Sequence, residues 1–332
     1  MTAMPEWSAG ETDVLARAVV RAPSVHNTQP WTLELPEGRA LLLERSDPAL
    51  PFHDPLGRDR SLSCGAATAN LELGMRVLGR DTTLELLPER DRPELVARLS
   101  AGGGRVPSDT DLHRYSAIAR RRSYRQPFTS QPVSDYDMKD LVAAAAEDGV
   151  QVKVLRTPDE LAALAGLLEY AATVLRQDRG YQRELALWTL RDERSHRHGV
   201  GIPGGSLPRV SLPWAGLVRP TTPVPDSVTL AQRLRGETVL LFLTAGDARP
   251  DHLRVGIAMQ HTWLAAVDMG LAAAVQTQPL HLAEARAGFI DRLGLAGYPQ
   301  LIMRVGHPHG VRIPRSPRRA TAELLDGTGD GY

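Results

Sequence analysis

The chain contains very little cysteine, few aromatic residues and no excess of either charge. Cys64 is the only cysteine among 332 residues, which excludes an internal disulfide and a zinc site built from cysteines alone. Lys plus Arg and Asp plus Glu number 39 each, so the formal net charge is zero. A broad polyanion-binding face is therefore not expected, and we predict neither a nucleic-acid partner nor a membrane partner. A local arginine cluster for one phosphate remains compatible with this balance.

The sequence also lacks long apolar segments. No run approaches about 18 uninterrupted apolar residues, and residues 1–10 show no basic segment followed by an apolar one. We therefore expect neither a membrane span nor a signal peptide, and a cytoplasmic location. Hydrophobic residues make up 42% of the chain and aromatic residues 5%, which predicts a globular protein with an aliphatic core.

Apolar periodicity predicts helices and strands whose order partly repeats. Predicted helices cover residues 12–21, 61–79, 135–146, 161–176, 181–191 and 255–271. Predicted strands cover residues 32–35, 41–44, 82–87, 150–155, 238–244 and 301–305. The Gly-rich residues 100–111 resemble a linker, so we place a boundary near residue 105 and predict two modules, 1–105 and 106–332. Gly and Pro make up 11 of the 27 residues of 199–225, which predicts a lid over about 195–225.

One loop places short polar side chains between two prolines. Residues 23–31 read Pro-Ser-Val-His-Asn-Thr-Gln-Pro-Trp, and the prolines fix the backbone on both sides. Ser24, Asn27 and Gln29 present hydrogen-bonding groups together, which suits a polar heterocycle. The alternative is an ordinary turn between a helix and a strand. His26 is either in contact with such a ring or on the surface.

Two other segments are rich in arginine. Residues 120–128 read Arg-Arg-Arg-Ser-Tyr-Arg-Gln-Pro-Phe, and residues 312–319 add four arginines between prolines. Guanidinium groups suit phosphate because each offers paired donors to its oxygens. The alternative for each segment is a solvated basic surface. Together, the two segments could enclose a phosphate from two sides.

The motifs Pro-Ser-x-x-Asn-x-Gln-Pro-Trp and Arg-Arg-Ser-x-Arg-x-x-Phe resemble the two FMN motifs of the nitroreductase family, in an order similar to its Acg-type subgroup. The resemblance implies an α+β sandwich. In that family an obligate dimer binds FMN at the subunit interface, with one motif from each subunit. Each predicted module here keeps only one motif. We therefore hypothesise that two fused modules imitate the dimer and assemble one FMN site, the second being lost.

The resemblance also implies roles for individual residues. Arg121 and Arg125 are expected at the phosphate and ribityl chain, Ser123 at the ribityl chain or pyrimidine, and the backbone of Arg122 beside them. Ser24, Asn27 and Gln29 are expected on the other side of the flavin. Of the C-terminal basic residues, Arg318 matches the phosphate contact best, with Arg315 and Arg319 as alternatives. Gln276 and Gln278 fall in a segment that passes near the isoalloxazine ring, although a polar loop after a core helix is an equal alternative.

The function that the resemblance implies is an FMN-dependent oxidoreductase. NAD(P)H would be a transient reductant and a small molecule the acceptor, and no catalytic acid or base is required because the flavin carries the chemistry. The alternative is an FMN-storage protein with a closed lid and no acceptor; a specialised biosynthetic oxidase is a third possibility. We expect a monomeric pseudo-dimer or a further homodimer.

Other candidate groups carry less weight. The pairs His196-x-His198 and His307-x-His309 lack a third ligand at a recognisable spacing, so no metal site is predicted. Cys64 is expected to be a small core residue near the start of a helix rather than a nucleophile. No Gly-x-Gly-x-x-Gly motif follows a strand, so a Rossmann nicotinamide site is not supported.

Overall fold

The computed structural model describes residues 6–190, 199–204, 217–310 and 313–325. The helices are α1 (Ala9–Val20), α2 (Arg58–Val77), α3 (Asp109–Arg120), α4 (Asp135–Ala144), α5 (Pro158–Gln177), α6 (Arg179–Trp188), α7 (Ser227–Leu234), α8 (Arg249–Asp268), α9 (Ala283–Leu293) and α10 (Thr321–Leu325). The strands are β1 (Trp31–Glu34), β2 (Arg39–Glu44), β3 (Arg80–Leu86), β4 (Leu95–Gly104), β5 (Val150–Leu155), β6 (Thr189–Leu190), β7 (Ile202–Pro203), β8 (Thr238–Thr244), β9 (Ala272–Gln276) and β10 (Tyr298–Gly306). None of the described helices combines the length and apolar character that crossing a membrane requires.

Two four-stranded antiparallel sheets have the same topology. The first has the strand order β1-β2-β4-β3 and the second β5-β8-β10-β9, so each sheet places its first, second, fourth and third strands side by side. In each half a helix precedes the first strand, and a 20-residue helix, α2 or α8, joins the second strand to the third. The α+β class is confirmed, and the order of elements repeats as the sequence predicts.

The two halves share one core, at the crossing of α2 and α8. A Cβ atom added to Gly65 would lie 2.1 Å from the carbonyl oxygen of Leu253, and one added to Gly256 would lie 2.1 Å from that of Leu62. Only glycine permits so close an approach of two backbones. Side chains from both helices, including Ala66 and Ala258, belong to one buried apolar cluster. The crossing fixes the relative position of the two helices that border the candidate site.

The prediction of a linker over residues 100–111 was wrong in its first part. Residues 100–104 belong to β4, which pairs with β2 on one side and β3 on the other. Burial of Leu95, Ala97 and Leu99, together with pairing along two edges, outweighs the low strand propensity of the glycines that follow. Helix α3, which was not predicted, begins with a capping box formed by Ser108 and Asp111. The predicted boundary near residue 105 falls between β4 and α3.

Much of the predicted lid lies outside the described residues, as do Trp214, Arg312 and the His196-x-His198 pair. Its described parts are more regular than predicted, because Ile202 and Pro203 form β7 and pair with β6. Leu217 and Val218 are buried against α6 and β7.

Candidate functional site

The loop between α1 and β1 has an unusual backbone. Residues Val25–Asn27 form one turn of 3-10 helix, and His26, Asn27 and Gln29 have φ values of 46°, 59° and 51°. Side-chain-bearing residues rarely adopt positive φ, and such conformations concentrate at functional sites. The hydroxyl of Ser24 accepts a hydrogen bond from the backbone N–H of Gln29 at 3.0 Å and closes the loop.

Asn27 and Gln29 join this loop to two segments that are distant in the sequence. Asn27 Nδ2 donates to the carbonyl oxygens of Gly201 at 3.1 Å and Pro317 at 3.0 Å. Gln29 Nε2 donates to Gly199 O at 2.7 Å, and Gln29 Oε1 accepts from the backbone N–H of Arg319 at 3.1 Å. Both amides are buried. They hold together the predicted lid and the C-terminal arginine segment.

The first arginine motif follows α3 and is attached to the edge of the second sheet. Ser123 forms a parallel bridge with Ala273 of β9, and the N–H of Tyr124 donates to Ala273 O at 2.9 Å. Arg121 is buried, with its guanidinium 4.6 Å from the centroid of the Trp263 ring. Arg122 Nη1 donates to the carbonyl oxygen of Arg121 at 2.6 Å. The motif is thus placed between α8 and the first half of the chain.

The C-terminal segment brings a second group of arginines to the same place. Arg318 Nη1 donates to Asn27 Oδ1 at 2.8 Å, so the predicted loop positions this guanidinium directly. Arg315 lies close enough for its charge to lower the pKa of Arg122, after the larger effect of burial. Arg319 is placed differently, since its backbone bonds to Gln29 and it does not line the cavity described next.

A cavity of about 310 Å³ lies between these arginine segments. Among its described lining residues are seven arginines and no carboxylate: Arg17, Arg21, Arg121, Arg122, Arg125, Arg315 and Arg318. Arg17 is exposed and pairs with Asp13, but Arg121, Arg125 and Arg318 form no ion pair among the described residues. Clustered cations without counter-charge are costly in a buried place, so the cavity is suited to an anion. Its chemistry matches a phosphate group.

The electrostatics of the arginines support this conclusion. Burial lowers the pKa of Arg121 well below its usual value, and the charges of Arg318, Arg122 and Arg125 lower it further. Burial lowers the pKa of Arg125 to about 10, and burial with the neighbouring Arg122 and Arg21 does the same for Arg318. Within the described chain, none of these side chains forms an ion pair, and the Nε atoms of Arg121 and Arg318 are buried without a hydrogen-bond acceptor. A bound anion would relieve both deficits.

A second, smaller cavity of about 110 Å³ adjoins the first. The two share four lining residues: Pro23, Ser24, Ser123 and Arg125. The smaller cavity is bordered mainly by apolar side chains from both halves: Val25, Leu62, Leu217, Met259, Trp263, Val275 and Leu301. Its polar groups include Thr277 and Gln278 at the end of β9. An apolar space with a few polar groups at one edge suits a flat heteroaromatic ring.

The structure brings most of the predicted residues to these two cavities. Those that line one or both are Ser24, Asn27, Arg121, Arg122, Ser123, Arg125, Gln278, Arg315 and Arg318. Gln29, Gln276 and Arg319 do not line either cavity. Gln29 and Arg319 instead bond to each other, and Gln276 is buried in β9 opposite Ile302 of β10. Cys64 is buried in α2, as predicted for a core residue, and burial raises the pKa of its thiol well above the usual value.

The smaller cavity also has a group of buried polar side chains that no sequence motif indicates as a whole. Asp59, in the first turn of α2, lines it together with His26, and both are buried. Burial raises the pKa of Asp59, but the nearby charge of His281 and the hydrogen bond of His53 outweigh this and bring it well below the usual range. For His26, burial lowers the pKa well below its usual value, and His53 adds to the effect. His26 could be singled out in the sequence because it lies in the Pro-Ser loop. His53, Asp59 and His281 could not, because they are far from His26 along the chain.

The comparison with protein families agrees with this geometry. The model of the family described as "Nitroreductase family" matches residues 118–307, more than half of the chain. The chain belongs to the nitroreductase family. The match begins near the end of α3 and covers the second sheet, so it includes the arginine motif at 121–125 but not the Pro-Ser loop.

Relatives that cover most of this chain are found in Mycobacterium tuberculosis. One, named "Putative NAD(P)H nitroreductase Rv3131", is 32% identical over 320 residues, covering 92% of this chain and 88% of the relative. Another, named "Putative NAD(P)H nitroreductase acg", is 29% identical over 325 residues, covering 95% and 96%. The resemblance to the Acg-type subgroup is confirmed.

Solved nitroreductase structures cover a smaller part of the chain. A nitroreductase with bound FMN from Bacteroides fragilis is 13% identical, covers 62% of this chain and 95% of its own, and has a TM-score of 0.40. The FMN and NADPH-dependent nitroreductase NfnB from Sphigopyxis sp. strain HMH is 19% identical, covers 65% and 99%, and has a TM-score of 0.39.

Proposed function

We propose that this nitroreductase-family chain is an oxidoreductase that binds one FMN in the two adjoining cavities and uses NAD(P)H to reduce a small acceptor. The observation that carries the proposal is the pairing of an arginine-lined cavity without carboxylates and an apolar cavity that share Ser24, Ser123 and Arg125. FMN has a phosphate at one end and a flat ring at the other, so its two ends match the two cavities.

The phosphate end is assigned to the larger cavity. Arg121, Arg125 and Arg318 would hold the phosphate, since they come from two sides and have no carboxylate partner in the described chain. Charge-assisted hydrogen bonds of this kind are about twice as strong as neutral ones. The roles given to Gln29 and Arg319 become indirect, because their contacts position Gly199 and the backbone near Arg318.

The ring end is assigned to the smaller cavity. Met259 and Trp263 of α8 and Leu62 of α2 would pack against the ring, and Thr277 and Gln278 would offer polar groups at its edge. When bound, FMN supplies the hydride and electron transfer. The chain's own part is to orient the ring, exclude water with apolar walls, and leave space for NAD(P)H or the acceptor in turn.

The fused-dimer arrangement is part of the proposal. It is supported by the two sheets of identical topology and by a site that takes its loop from the first half and its arginine motif from the second. Only one site is expected. At the place in the second half that corresponds to the Pro-Ser loop, the chain has Glu147. Burial raises the pKa of this carboxyl, and the nearby charge of Glu72 raises it further. Two carboxylates there would repel a phosphate.

A lid remains part of the proposal as well. Ile202 lines the larger cavity and Leu217 the smaller one, so both described ends of the predicted lid reach the site. We propose that the lid borders the flavin and opens for the acceptor. No feature of the described residues specifically favours the storage alternative.

The decisive experiment compares FMN and riboflavin binding by the wild type, Arg125→Met and Arg120→Met. Arg125 lines both cavities, whereas Arg120 is an exposed neighbour next to Asp268 and serves as the matched control. We expect Arg125→Met to weaken FMN binding by about 10- to 100-fold, corresponding to one charged hydrogen-bonding group, with a much smaller effect on riboflavin, which has no phosphate. An equal loss of affinity for FMN and riboflavin in Arg125→Met, or no loss for either ligand, would refute the phosphate assignment.

Enzyme activity is tested separately. Wild-type protein loaded with FMN is mixed anaerobically with NADH or NADPH, and the visible absorbance of oxidised flavin is followed. Loss of this absorbance within seconds to minutes, and its return on adding a nitroaromatic or a quinone, is the expected result. Flavin that dithionite reduces but neither nicotinamide reduces would refute the NAD(P)H-dependent reaction and favour storage.

A further inference from the structure

Three side chains form a buried cluster beside the proposed ring cavity, and the proposed flavin chemistry does not use them. His53 precedes α2, Asp59 lies in the first turn of α2, and His281 ends the 3-10 helix Gln278–His281 that follows β9. Their side chains are 1%, 3% and 17% exposed. One half of the chain supplies two of these groups and the other half supplies the third.

The distances within the cluster are short enough for its atoms to share a bound ion. His53 Nε2 lies 3.1 Å from Asp59 Oδ2, and His281 Nε2 lies 3.1 Å from Asp59 Oδ1. One ligand atom from each residue can be chosen so that all three lie within 4.8 Å of one another. Two ligands at about 2.0–2.1 Å from one tetrahedral ion are themselves about 3.3 Å apart.

The contact with His281 is not a satisfied hydrogen bond. Although His281 Nε2 and Asp59 Oδ1 are 3.1 Å apart, both are buried atoms without a hydrogen-bond partner among the described residues. The Nε atom of Arg58 is 4.0 Å from the same oxygen, but the two Nη atoms of Arg58 donate to the carbonyls of Leu280 and Thr277. A buried carboxylate oxygen and a buried imidazole nitrogen therefore lie 3.1 Å apart without a hydrogen bond between them.

We propose that His53, Asp59 and His281 bind one divalent transition-metal ion. Two imidazoles and one carboxylate are a known ligand set for zinc and for non-haem iron, in which a further position is left for water or substrate. A second buried carboxylate lies close by, because Glu184 accepts hydrogen bonds from the backbone N–H groups of Phe52 and His53. Asp59 also lines the neighbouring cavity, but the proposed ligand set does not require FMN there.

The test is zinc stoichiometry and affinity in the full-length, tag-free chain. Protein is treated with a chelator, equilibrated with Zn²⁺, freed of excess metal by gel filtration and analysed for metal content. His281→Gln removes one proposed ligand at the most exposed member of the cluster. His307→Gln is the matched control, because it changes a histidine of the His307-x-His309 pair outside the cluster. Circular dichroism establishes that each variant is folded.

We expect one zinc ion per chain in the wild type and in His307→Gln. In His281→Gln, zinc affinity should fall by at least about 100-fold. Loss of a group that only orients a ligand already costs up to about 100-fold, and this variant loses a ligand itself. No stoichiometric zinc in the wild type, or binding that His281→Gln leaves intact, would overturn the proposal. If His281→Gln does not fold, Co²⁺ added to the wild type provides the test. The visible d–d bands of a four- or five-coordinate ion support the site, and the spectrum of hydrated Co²⁺ alone contradicts it.

Discussion

The crossing of α2 and α8 allows a sharp test of how the two halves are held together. In Gly65→Ala, the new Cβ atom would lie 2.1 Å from the carbonyl oxygen of Leu253, whereas ordinary contacts begin at 3.4 Å. The helices must therefore move apart by about 1.3 Å, the difference between these distances, or the backbone must bend. Overpacking of this kind costs about 1–3 kcal/mol and occasionally more.

The assay is thermal denaturation followed by circular dichroism, with Gly288→Ala as the control. A Cβ atom on Gly288, in the middle of α9, would meet no heavy atom within 4 Å. Alanine is favoured over glycine inside a helix by about 0.5–1 kcal/mol, so the control should be slightly more stable than the wild type. Gly65→Ala has the same gain in helix propensity, and a lower stability can then be assigned to the crossing.

We expect the melting temperature of Gly65→Ala to fall by about 5 °C. This value follows from a shift of about 2–4 °C for each kcal/mol, as found in domains somewhat smaller than this chain. FMN affinity should fall as well, because α2 provides Leu62 and α8 provides Met259 and Trp263 to the smaller cavity. A variant that melts at or above the temperature of Gly288→Ala would refute close backbone packing at this crossing. Lower stability with unchanged FMN affinity would refute the link between the crossing and the site.

Three further predictions concern single side chains. Burial, followed by the charge of Glu72, raises the pKa of Glu147 from 4.5 to about 7; the native state therefore binds more protons between these pH values and loses stability as pH rises through them. In urea titrations, the free energy of unfolding of Glu147→Gln should exceed that of the wild type by about 1 kcal/mol at pH 8, after allowance for partial exposure, and should equal it at pH 4. The control variant Asp148→Asn, at an exposed position, should change this free energy little. The buried Cys64, whose thiol pKa is raised, should react with a thiol reagent only after denaturant is added; rapid reaction of the native protein would contradict its core position. Arg304→Leu should cost about 3–5 kcal/mol of unfolding free energy, because it leaves Glu237 in a nearly buried place without its charge partner; a loss below about 1 kcal/mol in the same titrations would contradict this.

What the sequence predicted well was local. The prolines, the short polar side chains and the clustered arginines of the two motifs identified both segments that meet at the cavities, since each motif lies within about ten residues. Helices α2 and α8 and most strands followed from apolar periodicity. Strand β4 did not, because its glycines carry no strand signal and its stability comes from pairing with β2 and β3.

What the sequence could not predict depends on contacts between distant segments. Gln29 has the type and position of a flavin ligand, yet its amide group bonds to Gly199 and to Arg319, which are 170 and 290 residues away. The cluster of His53, Asp59 and His281 has no motif, because Asp59 and His281 are joined only through the folding of both halves. Residue type predicts the available chemistry, whereas tertiary contacts decide whether a group faces the ligand or supports its neighbours.

The proposed fused arrangement accounts for two halves that differ in their loops but agree in their crossing helices. In a symmetric dimer, a loop substitution alters both sites at once, so both copies must remain competent. In one chain, the second copy of each motif is free to change. Glu147 lies between α4 and β5, as the Pro-Ser loop lies between α1 and β1. Gly65 and Gly256 have no such freedom, because a Cβ atom on either would meet the backbone of the other helix. The shared interface therefore constrains both halves, whereas the single proposed ligand site constrains one loop from each.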